Sequence, residues 1–321
     1  MTPELREFEL DGGYEGAPAD RGKNSARNSM SAVIAALAGQ YTIAGEPGAP
    51  GSGPRQRIWL DTFDWRLNHA GRVLEYSRAT RGGRLILTQD DTPEAEQPVA
   101  GWRPRLPCLA EDLPAGPVRD RIVKLTSLRA LLPVVKAVGT VSVERLLNED
   151  GKTVARLIVD DSTVTGAEVT IGLPLRLAIA EVRGYPGQAR KAASLLAGLP
   201  GVSHASQSVF TAALTALGRH PADYTSSVEA EITATMPASV AVARLLLRLL
   251  DTLELNIDGV LRDIDTEFLH DLRVAVRRTR SAIKLLGEVL PDDLAAHYAA
   301  EFKWLGDLTT PTRDLDVHLL G

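Results

Sequence analysis

The sequence predicts an α+β protein, in which an N-terminal antiparallel β domain, closed into a barrel or tunnel, precedes an all-α helical bundle. Two regimes of composition indicate this division. Short β-type runs separated by Gly and Pro fill the first part of the chain, and Leu, Ala and Arg at helical spacing fill the last part. The length of 321 residues is sufficient for two domains. We expect the first domain at residues 1–216, a linker at 217–236 and the helical domain at 237–321.

Hairpin signals predict the antiparallel sheet. The runs Arg72–Arg78 and Arg84–Gln89 flank a Gly-Gly pair suited to a tight turn, and Asn148–Gly151 is a second turn of the hairpin type. Other strands are expected at Ile58–Asp61, Val134–Leu147, Val154–Val159, Glu168–Ile171 and Arg176–Arg183. Closure of such a sheet would remove its exposed edges.

Three helices and two loops complete the first domain. Helical patterns cover Ala26–Ala38, Arg119–Leu131 and Gly187–Leu196. The segments Gly45–Gly53 and Asp90–Gly116 are dense in Gly, Pro and acidic residues. This composition is typical of exposed loops.

Apolar residues at alternating steps of three and four define the helices of the second domain. The successive stripes are Ala243, Leu246, Leu250, Leu253, Ile257 and Val260; Leu269, Leu272, Val276, Thr279, Ile283 and Leu286; and Leu294, Tyr298, Phe302 and Leu305. Pro291 and the two Asp residues after it mark the start of the third helix. We expect Pro311 to end that helix before a fourth begins near Thr312.

Charge and cysteine content exclude several functional classes. Since 36 Lys and Arg stand against 41 Asp and Glu, for a net charge of -5, a polyanion must be bound by a local basic patch. The single Cys108 excludes an intrachain disulfide and a cysteine-based zinc site. The apolar run near the N-terminus is too short to span a bilayer, so we expect a cytoplasmic protein that makes no membrane contact.

A row of cations on one predicted helix is the strongest candidate site. His270, Arg273, Arg277, Arg280 and Lys284 follow steps of three and four, which places them on one line along the helix. Like charges at this spacing repel each other by roughly a few tenths of a kcal/mol per pair. Guanidinium groups arranged along a helix suit the phosphates of a linear polyanion. The alternative is a solvated face, or cations paired with acids of neighbouring helices.

Two blocks of sequence around this row resemble the CHAD domain. The first block runs from Leu269 to Ser281, and the second consists of Lys303–Leu305 and Arg313–Val317. The resemblance implies binding of inorganic polyphosphate in a basic channel between two pseudo-symmetric helical bundles. It assigns the binding role to His270, Arg273, Arg277, Arg280, Lys284, Lys303 and Arg313.

This resemblance extends over only the first half of the family's domain, from about Val228 to Gly321. The plainer expectation is that the sequence is a fragment of a longer protein. Otherwise the half bundle would expose apolar surface unless it forms a homodimer.

The first domain resembles, in outline, the CYTH domain, which has a triphosphate-tunnel fold. The segments that carry the resemblance are Trp59–Thr62, Val154–Asp161 and Ile179–Arg183. The resemblance implies a tunnel whose cations hold a triphosphate and whose carboxylates hold Mg²⁺ or Mn²⁺.

Departures from the CYTH pattern predict that catalysis has been lost, so no catalytic residue is assigned. Glu75 and Ser77 stand at two arginine positions, and Gly139–Ser142 replaces a basic strand. A tunnel without these cations would repel a tetra-anionic nucleotide. The weak candidates for a metal site are Glu7, Glu9 and Glu181, for each of which an ordinary surface carboxylate is the alternative.

Together these observations predict a protein that binds inorganic polyphosphate through its helical domain, in the cytoplasm or at polyphosphate granules, without a cofactor. The first alternative is a metal-dependent triphosphatase of the CYTH type, which would require Mg²⁺ or Mn²⁺. The second alternative is a nucleic-acid-binding helical module, because a basic helix can contact any phosphate backbone.

Overall fold

One antiparallel sheet dominates the first part of the chain. The computed structural model describes residues 6–10, 30–46, 48–49, 52–80, 82–166, 169–227 and 231–320. The strands are β1 (Arg6–Leu10), β2 (Thr42–Gly45), β3 (Gly53–Asp61), β4 (Arg72–Ala79), β5 (Gly82–Gln89), β6 (Thr92–Pro98), β7 (Leu132–Leu147), β8 (Thr153–Thr165), β9 (Thr170–Gly172), β10 (Leu175–Glu181) and β11 (Val202–His204). Their order is β11-β1-β10-β8-β7-β3-β4-β5-β6, with β2 paired to β7 and β9 paired to β8.

The sheet curls around a cavity of about 730 Å³, which we call the tunnel. Glu7 on β1 and Arg84 on β5 both line the tunnel, although several strands separate β1 from β5 in the sheet. Because side chains alternate between the faces of a strand, Arg57 faces the tunnel while its neighbour Ile58 packs in an apolar core on the opposite face.

Helices cover the outer face of the sheet and one part of its inner face. They are α1 (30–38), α2 (Arg66–His69), α3 (Pro117–Thr126), α4 (Pro186–Ala197) and α5 (Val209–Ala216). Helices α1 and α4 pack over β1, β8 and β10, and α3 packs over β3, β4 and β5. Helix α5 lies on the tunnel side, where Phe210 packs against Trp59 and Val209 lines the tunnel.

Both predicted hairpin pairings are confirmed, since β4 pairs with β5 and β7 pairs with β8. The prediction that the Gly-Gly pair lies in the turn is wrong, because Gly82 and Gly83 belong to β5 and pair with Ala79 and Arg78. The prediction of a loop over Asp90–Gly116 is wrong in part, because Thr92–Pro98 pairs with β5 as an edge strand, a position that tolerates its Pro and Glu residues. Helix α3 ends at Thr126 rather than Leu131, since Leu128 has left-handed backbone geometry (φ 62°). Residues 26–29 and Glu168 lie outside the described residues.

The last part of the chain forms three helices in the described residues: α6 (Ala238–Leu261), α7 (Thr266–Leu286) and α8 (Asp292–Leu320). Their apolar cluster is formed by Leu249 and Leu253 of α6 with Leu272, Ala275 and Val276 of α7, and α8 packs against it through Phe302 and Leu305. Within the described ranges, no helix combines the length and the apolar character that crossing a membrane requires. The predicted order of an antiparallel β domain followed by helices is therefore confirmed.

Of the three predicted stripes, that of α7 is confirmed from Leu269 to Ile283. The predicted stripe of α6 is wrong, because the buried face of the helix lies about one residue of rotation away from it. Leu250 and Ile257 are exposed, while Asn256 and Gly259 are buried. Gly259 packs closely against Phe268: a Cβ at this position would lie 2.2 Å from the ring, so only glycine fits here. Hydrophobic periodicity cannot detect a buried face that contains Asn and Gly.

Helix α8 differs from its prediction in two respects. Leu294 and Tyr298 are exposed, so the core-facing part of the stripe begins only at Phe302. Pro311 does not end the helix, which continues to Leu320. A proline inside a helix leaves a carbonyl without its usual N–H partner, here that of Asp307, and side-chain donors gather at the carbonyl before it, as described below.

A buried ionic cluster joins the first domain to α7, and we call it the junction. The guanidinium group of Arg129, with a side chain only 1% exposed, is bound to Asp271, lies 3.3 Å from Asp64 and 3.4 Å from Asp265, and packs over the ring of Phe268. Asp265 also accepts hydrogen bonds from the backbone N–H groups of the first turn of α7. The first domain therefore fixes the start of α7.

Candidate functional site

A basic cleft of about 310 Å³ lies between α7 and α8. Of the seven predicted polyphosphate-binding residues, five line it: His270, Arg273, Arg277, Arg280 and Arg313. Asp307 contributes the single carboxylate among its lining residues. Four arginines against one aspartate give the cleft an excess of three positive charges, since 4 − 1 = 3 with His270 counted as neutral.

Arg273 is held by neutral oxygen atoms of the turn of α8 that precedes Pro311. Its Nη1 donates hydrogen bonds to the carbonyl of Gly306 at 3.0 Å, to the hydroxyl of Thr309 at 2.8 Å and to the hydroxyl of Thr310 at 3.1 Å. Because these acceptors carry no formal charge, Arg273 keeps its full positive charge inside the cleft.

Arg313 links α8 to the first turns of α7. Its Nη1 donates to the carbonyl of Thr266 at 3.2 Å, and its Nη2 lies 3.2 Å from Nδ1 of His270. A guanidinium group is only a donor, so His270 accepts through Nδ1 and is left with an N–H at Nε2. Asp316 is 4.0 Å from Nη1, the outer limit of an ion pair.

The other cations of the row are exposed. Across the ranges that the structure describes, Arg277, Arg280 and Lys284 form no hydrogen bond or ion pair with the protein. Arg277 and Arg280 face the cleft, whereas Lys284 lies beyond its lining residues. The structure therefore brings together the first four members of the predicted row and leaves the last member, Lys284, outside.

Lys303 also lies outside the cleft lining. Its Nζ is 2.7 Å from Oδ2 of Asp307, one helical turn away on the exposed side of α8. This ion pair and its hydrogen bond hold the pKa of Asp307 below its ordinary value. The positive charge of Lys303 therefore offsets the negative charge of Asp307, the single acid among the residues that line the cleft.

Asp271, the one acid within the row, points away from the cleft. Its carboxylate is bound to Arg129 in the junction and accepts a hydrogen bond from the hydroxyl of Tyr224 at 3.3 Å. Burial raises the pKa of Tyr224 to about 12. The acid within the row is thus neutralised by the first domain and leaves the cations of the cleft uncompensated.

The tunnel of the first domain has its own arginines, which the sequence analysis missed. Arg55, Arg57, Arg84 and Arg176 all line it. The predicted strand begins at Ile58, but β3 starts at Gly53, so the inward alternation of Arg55 and Arg57 falls outside the prediction. A strand extended upstream by period-two alternation would have found both residues.

Carboxylates pair with these tunnel arginines. Arg57 is bound to Asp160 and lies 3.8 Å from Glu75, and Arg176 lies 2.6 Å from Glu9. Burial raises the pKa of Glu75, although Arg57 beside it acts in the opposite direction. The expectation of a tunnel that has lost most of its cations is therefore wrong, because four arginines line it at positions where none was expected, and two of them, Arg57 and Arg176, are paired with carboxylates.

The three weak metal candidates do not converge. Glu7 and Glu9 both approach Arg176, at 3.6 Å and 2.6 Å. Glu181 lies at an odd spacing from both Arg176 and Ala178, which line the tunnel, so it falls on the opposite face of β10. Among the described residues, no group of three His, Cys, Asp or Glu side chains is arranged to hold a metal ion.

One family model matches the helical part of the chain. Residues 244–320 match the CHAD domain. The predicted CHAD resemblance is therefore confirmed for this segment, which contains α7, most of α6 and the whole of α8.

Two solved structures match the larger part of the chain. One is a candidate adenylate cyclase from Bacillus halodurans, with 13% identity, a TM-score of 0.39, and coverage of 64% of this chain and 94% of that one. The other is a candidate adenylyl cyclase from Hippeastrum described as having a dominant triphosphatase activity, with 13% identity, a TM-score of 0.40, and coverage of 69% and 99%. The search of curated proteins gave no significant match.

The CHAD segment exposes large apolar side chains. Leu247 and Leu261 of α6 are 60% and 79% exposed, and Trp304 and Leu319 of α8 are 60% and 80% exposed. Faces of this kind mark interaction surfaces in soluble proteins. The predicted homodimer remains a prediction for this surface.

Proposed function

We propose that this protein binds inorganic polyphosphate in the cleft between α7 and α8. The observation that carries the proposal is the cluster of four arginines against one lining carboxylate, in which the hydrogen bonds of Arg273 and Arg313 go to uncharged acceptors. Solvated or acid-paired cations were the alternative for this row, and neither description fits Arg273, which is half-buried and bonded to uncharged oxygens. The match to the CHAD domain supports the same ligand.

Charge and length favour a linear polyanion over a single small anion. Arg273, Arg277 and Arg280 lie along two turns of α7, and Arg313 extends the lining at one end. Helical rise separates Arg273 from Arg280 by roughly 10 Å, which exceeds the reach of one phosphate group. A chain of phosphates can extend along this row of positive charge, whereas a single phosphate group cannot.

The experiment is a titration of the full chain with long-chain inorganic polyphosphate at several salt concentrations. We expect Arg277→Ala/Arg280→Ala to raise Kd at least tenfold and to reduce the slope of log Kd against log salt by about 0.7 for each phosphate charge that the variant no longer neutralises. The matched control is Arg244→Ala/Arg262→Ala, which removes one arginine of α6 and the arginine that follows its last residue, both outside the cleft lining. Equal weakening by both pairs, or no weakening by the cleft pair, would overturn the proposal.

Two further outcomes identify the alternatives. Displacement of polyphosphate by duplex DNA or RNA at equal phosphate concentration and physiological salt would indicate a nucleic-acid-binding module. Release of phosphate from tripolyphosphate with Mg²⁺ or Mn²⁺, abolished by Asp160→Asn in the tunnel, would indicate a triphosphatase. Location in the cytoplasm or at polyphosphate granules remains part of the proposal.

A further inference from the structure

The cleft cations differ in what already holds them. Arg273 and Arg313 bond to atoms of the opposite helix, whereas Arg277 and Arg280 have no hydrogen-bond partner in the described part of the chain. We propose that Arg273 is a positioning residue that holds α8 against α7, and that Arg277 and Arg280 contact the phosphates. This inference rests on the proposed function. It assigns different roles to cations that follow the same pattern of spacing in the sequence.

The turn at Pro311 explains why α8 needs such a clamp. Pro311 has no N–H, so the carbonyl of Asp307 loses its helical donor, and the turn around it is weakened. At the preceding carbonyl, that of Gly306, three side-chain donors converge: Thr310 at 2.9 Å, Thr309 at 3.3 Å and Arg273 at 3.0 Å. Arg273 is the one donor among them that comes from α7.

Close approach of the helices at Gly306 places Arg280 beside this clamp. A Cβ added to Gly306 would lie 3.3 Å from Nη1 of Arg280 and 3.7 Å from Val276. The residue whose carbonyl accepts the hydrogen bond from Arg273 is therefore the same residue that Arg280 approaches. Without that bond, α8 could move and the spacing between Arg280 and Arg313 would change.

Thr309 permits a test that leaves every cation in place. It accepts the shortest of the three hydrogen bonds of Arg273, at 2.8 Å, and it is not among the residues that line the cleft. Thr309→Val removes this acceptor with little change of volume. The matched control is Thr312→Val, an exposed threonine of the same helix.

If Arg273 positions α8, Thr309→Val should raise the Kd for long-chain polyphosphate roughly three- to tenfold, as expected for one hydrogen bond. The salt slope should stay unchanged, because every cation that meets a phosphate remains. Thr312→Val should match the wild type. If Arg273 instead contacts phosphate directly, freeing it from Thr309 would leave the affinity unchanged or increase it, and that result would overturn the inference.

These variants distinguish a failure of the positioning role of Arg273 from a failure of the proposed function. Weakening by Arg277→Ala/Arg280→Ala together with wild-type affinity of Thr309→Val would refute the positioning role and leave the proposed function intact. A second variant, Arg273→Ala, should lower both Tm and affinity with little change of salt slope. If Arg273→Ala reduced the slope of log Kd against log salt as much as Arg277→Ala does, Arg273 would belong among the residues that bind phosphate.

Discussion

The tunnel and the cleft are both rich in arginine, but they differ in what the arginines meet. In the tunnel, Arg57 and Arg176 face carboxylates of neighbouring strands. In the cleft, Arg273 meets a carbonyl and two hydroxyls, and Arg313 meets a carbonyl and an imidazole. An arginine paired with a carboxylate is neutralised in place, while one held by neutral acceptors keeps its positive charge and so attracts an anion into the cleft, even where its own hydrogen bonds are already made.

This difference explains why the number of basic residues in a cavity is a poor guide to anion binding. A polyanion entering the tunnel would have to compete with Asp160 and Glu9 for the guanidinium groups that they already bind. In the cleft the one lining acid, Asp307, is already paired with Lys303. Short-range pairing, and not charge count, therefore distinguishes the two cavities.

The largest loss of stability is expected from an arginine that is paired with carboxylates, namely Arg129 of the junction. Arg129→Met would leave Asp64, Asp265 and Asp271 without their buried counter-charge, which should cost about 3–5 kcal/mol of unfolding free energy. Urea unfolding would measure it, with Arg121→Met on the exposed side of α3 as the control. Equal stability of the two variants would contradict a structural role for the junction.

A smaller loss of stability is expected at Arg57, and this variant also tests whether the tunnel differs from the cleft in polyphosphate binding. Arg57→Met should destabilise the first domain by about 1–3 kcal/mol, because Asp160 loses its partner while Glu75, whose pKa burial already raises, can take up a proton. Affinity for polyphosphate should not change. A rise in Kd comparable to that of the cleft variants would show that the tunnel takes part in binding.

The smallest effect concerns Asp61, a buried carboxylate held by backbone N–H groups of Thr62, Leu67 and Asn68 instead of by an arginine. Burial raises its pKa from 3.8 to about 6. A raised folded-state pKa means that its contribution to stability is full below about pH 4 and is lost as the pH rises through 6. Asp61→Asn should therefore reduce the loss of stability between these pH values in urea titrations, and an unchanged pH profile would contradict the raised pKa.

Much of the fold could be predicted because its signals are local. Hairpin turns specify the pairs β4–β5 and β7–β8, and the stripe of α7 was recognisable because its buried positions are almost all apolar. The face of α6 could not be predicted in this way. Its burial depends on Asn256, which donates a hydrogen bond to Tyr224, and on Gly259, which accommodates Phe268; neither partner belongs to α6.

The candidate site was predicted in its residues but not in its arrangement. Steps of three and four along α7 place Arg273, Arg277 and Arg280 together, yet they cannot show that α8 continues through Pro311 and supplies acceptors for Arg273. They also cannot show that Asp271 faces away, since its partner Arg129 lies 142 residues earlier. Contacts between distant segments decide which members of a periodic row are available.

The position of α7 between the junction and the cleft has a consequence for the whole chain. One side of this helix is anchored to the first domain through Phe268 and Asp271, and the other side presents Arg277 and Arg280. The two domains should therefore melt as a single cooperative unit in calorimetry, with one endotherm instead of two. A ligand that binds α7 alone would then raise the melting temperature of a sheet that it never touches.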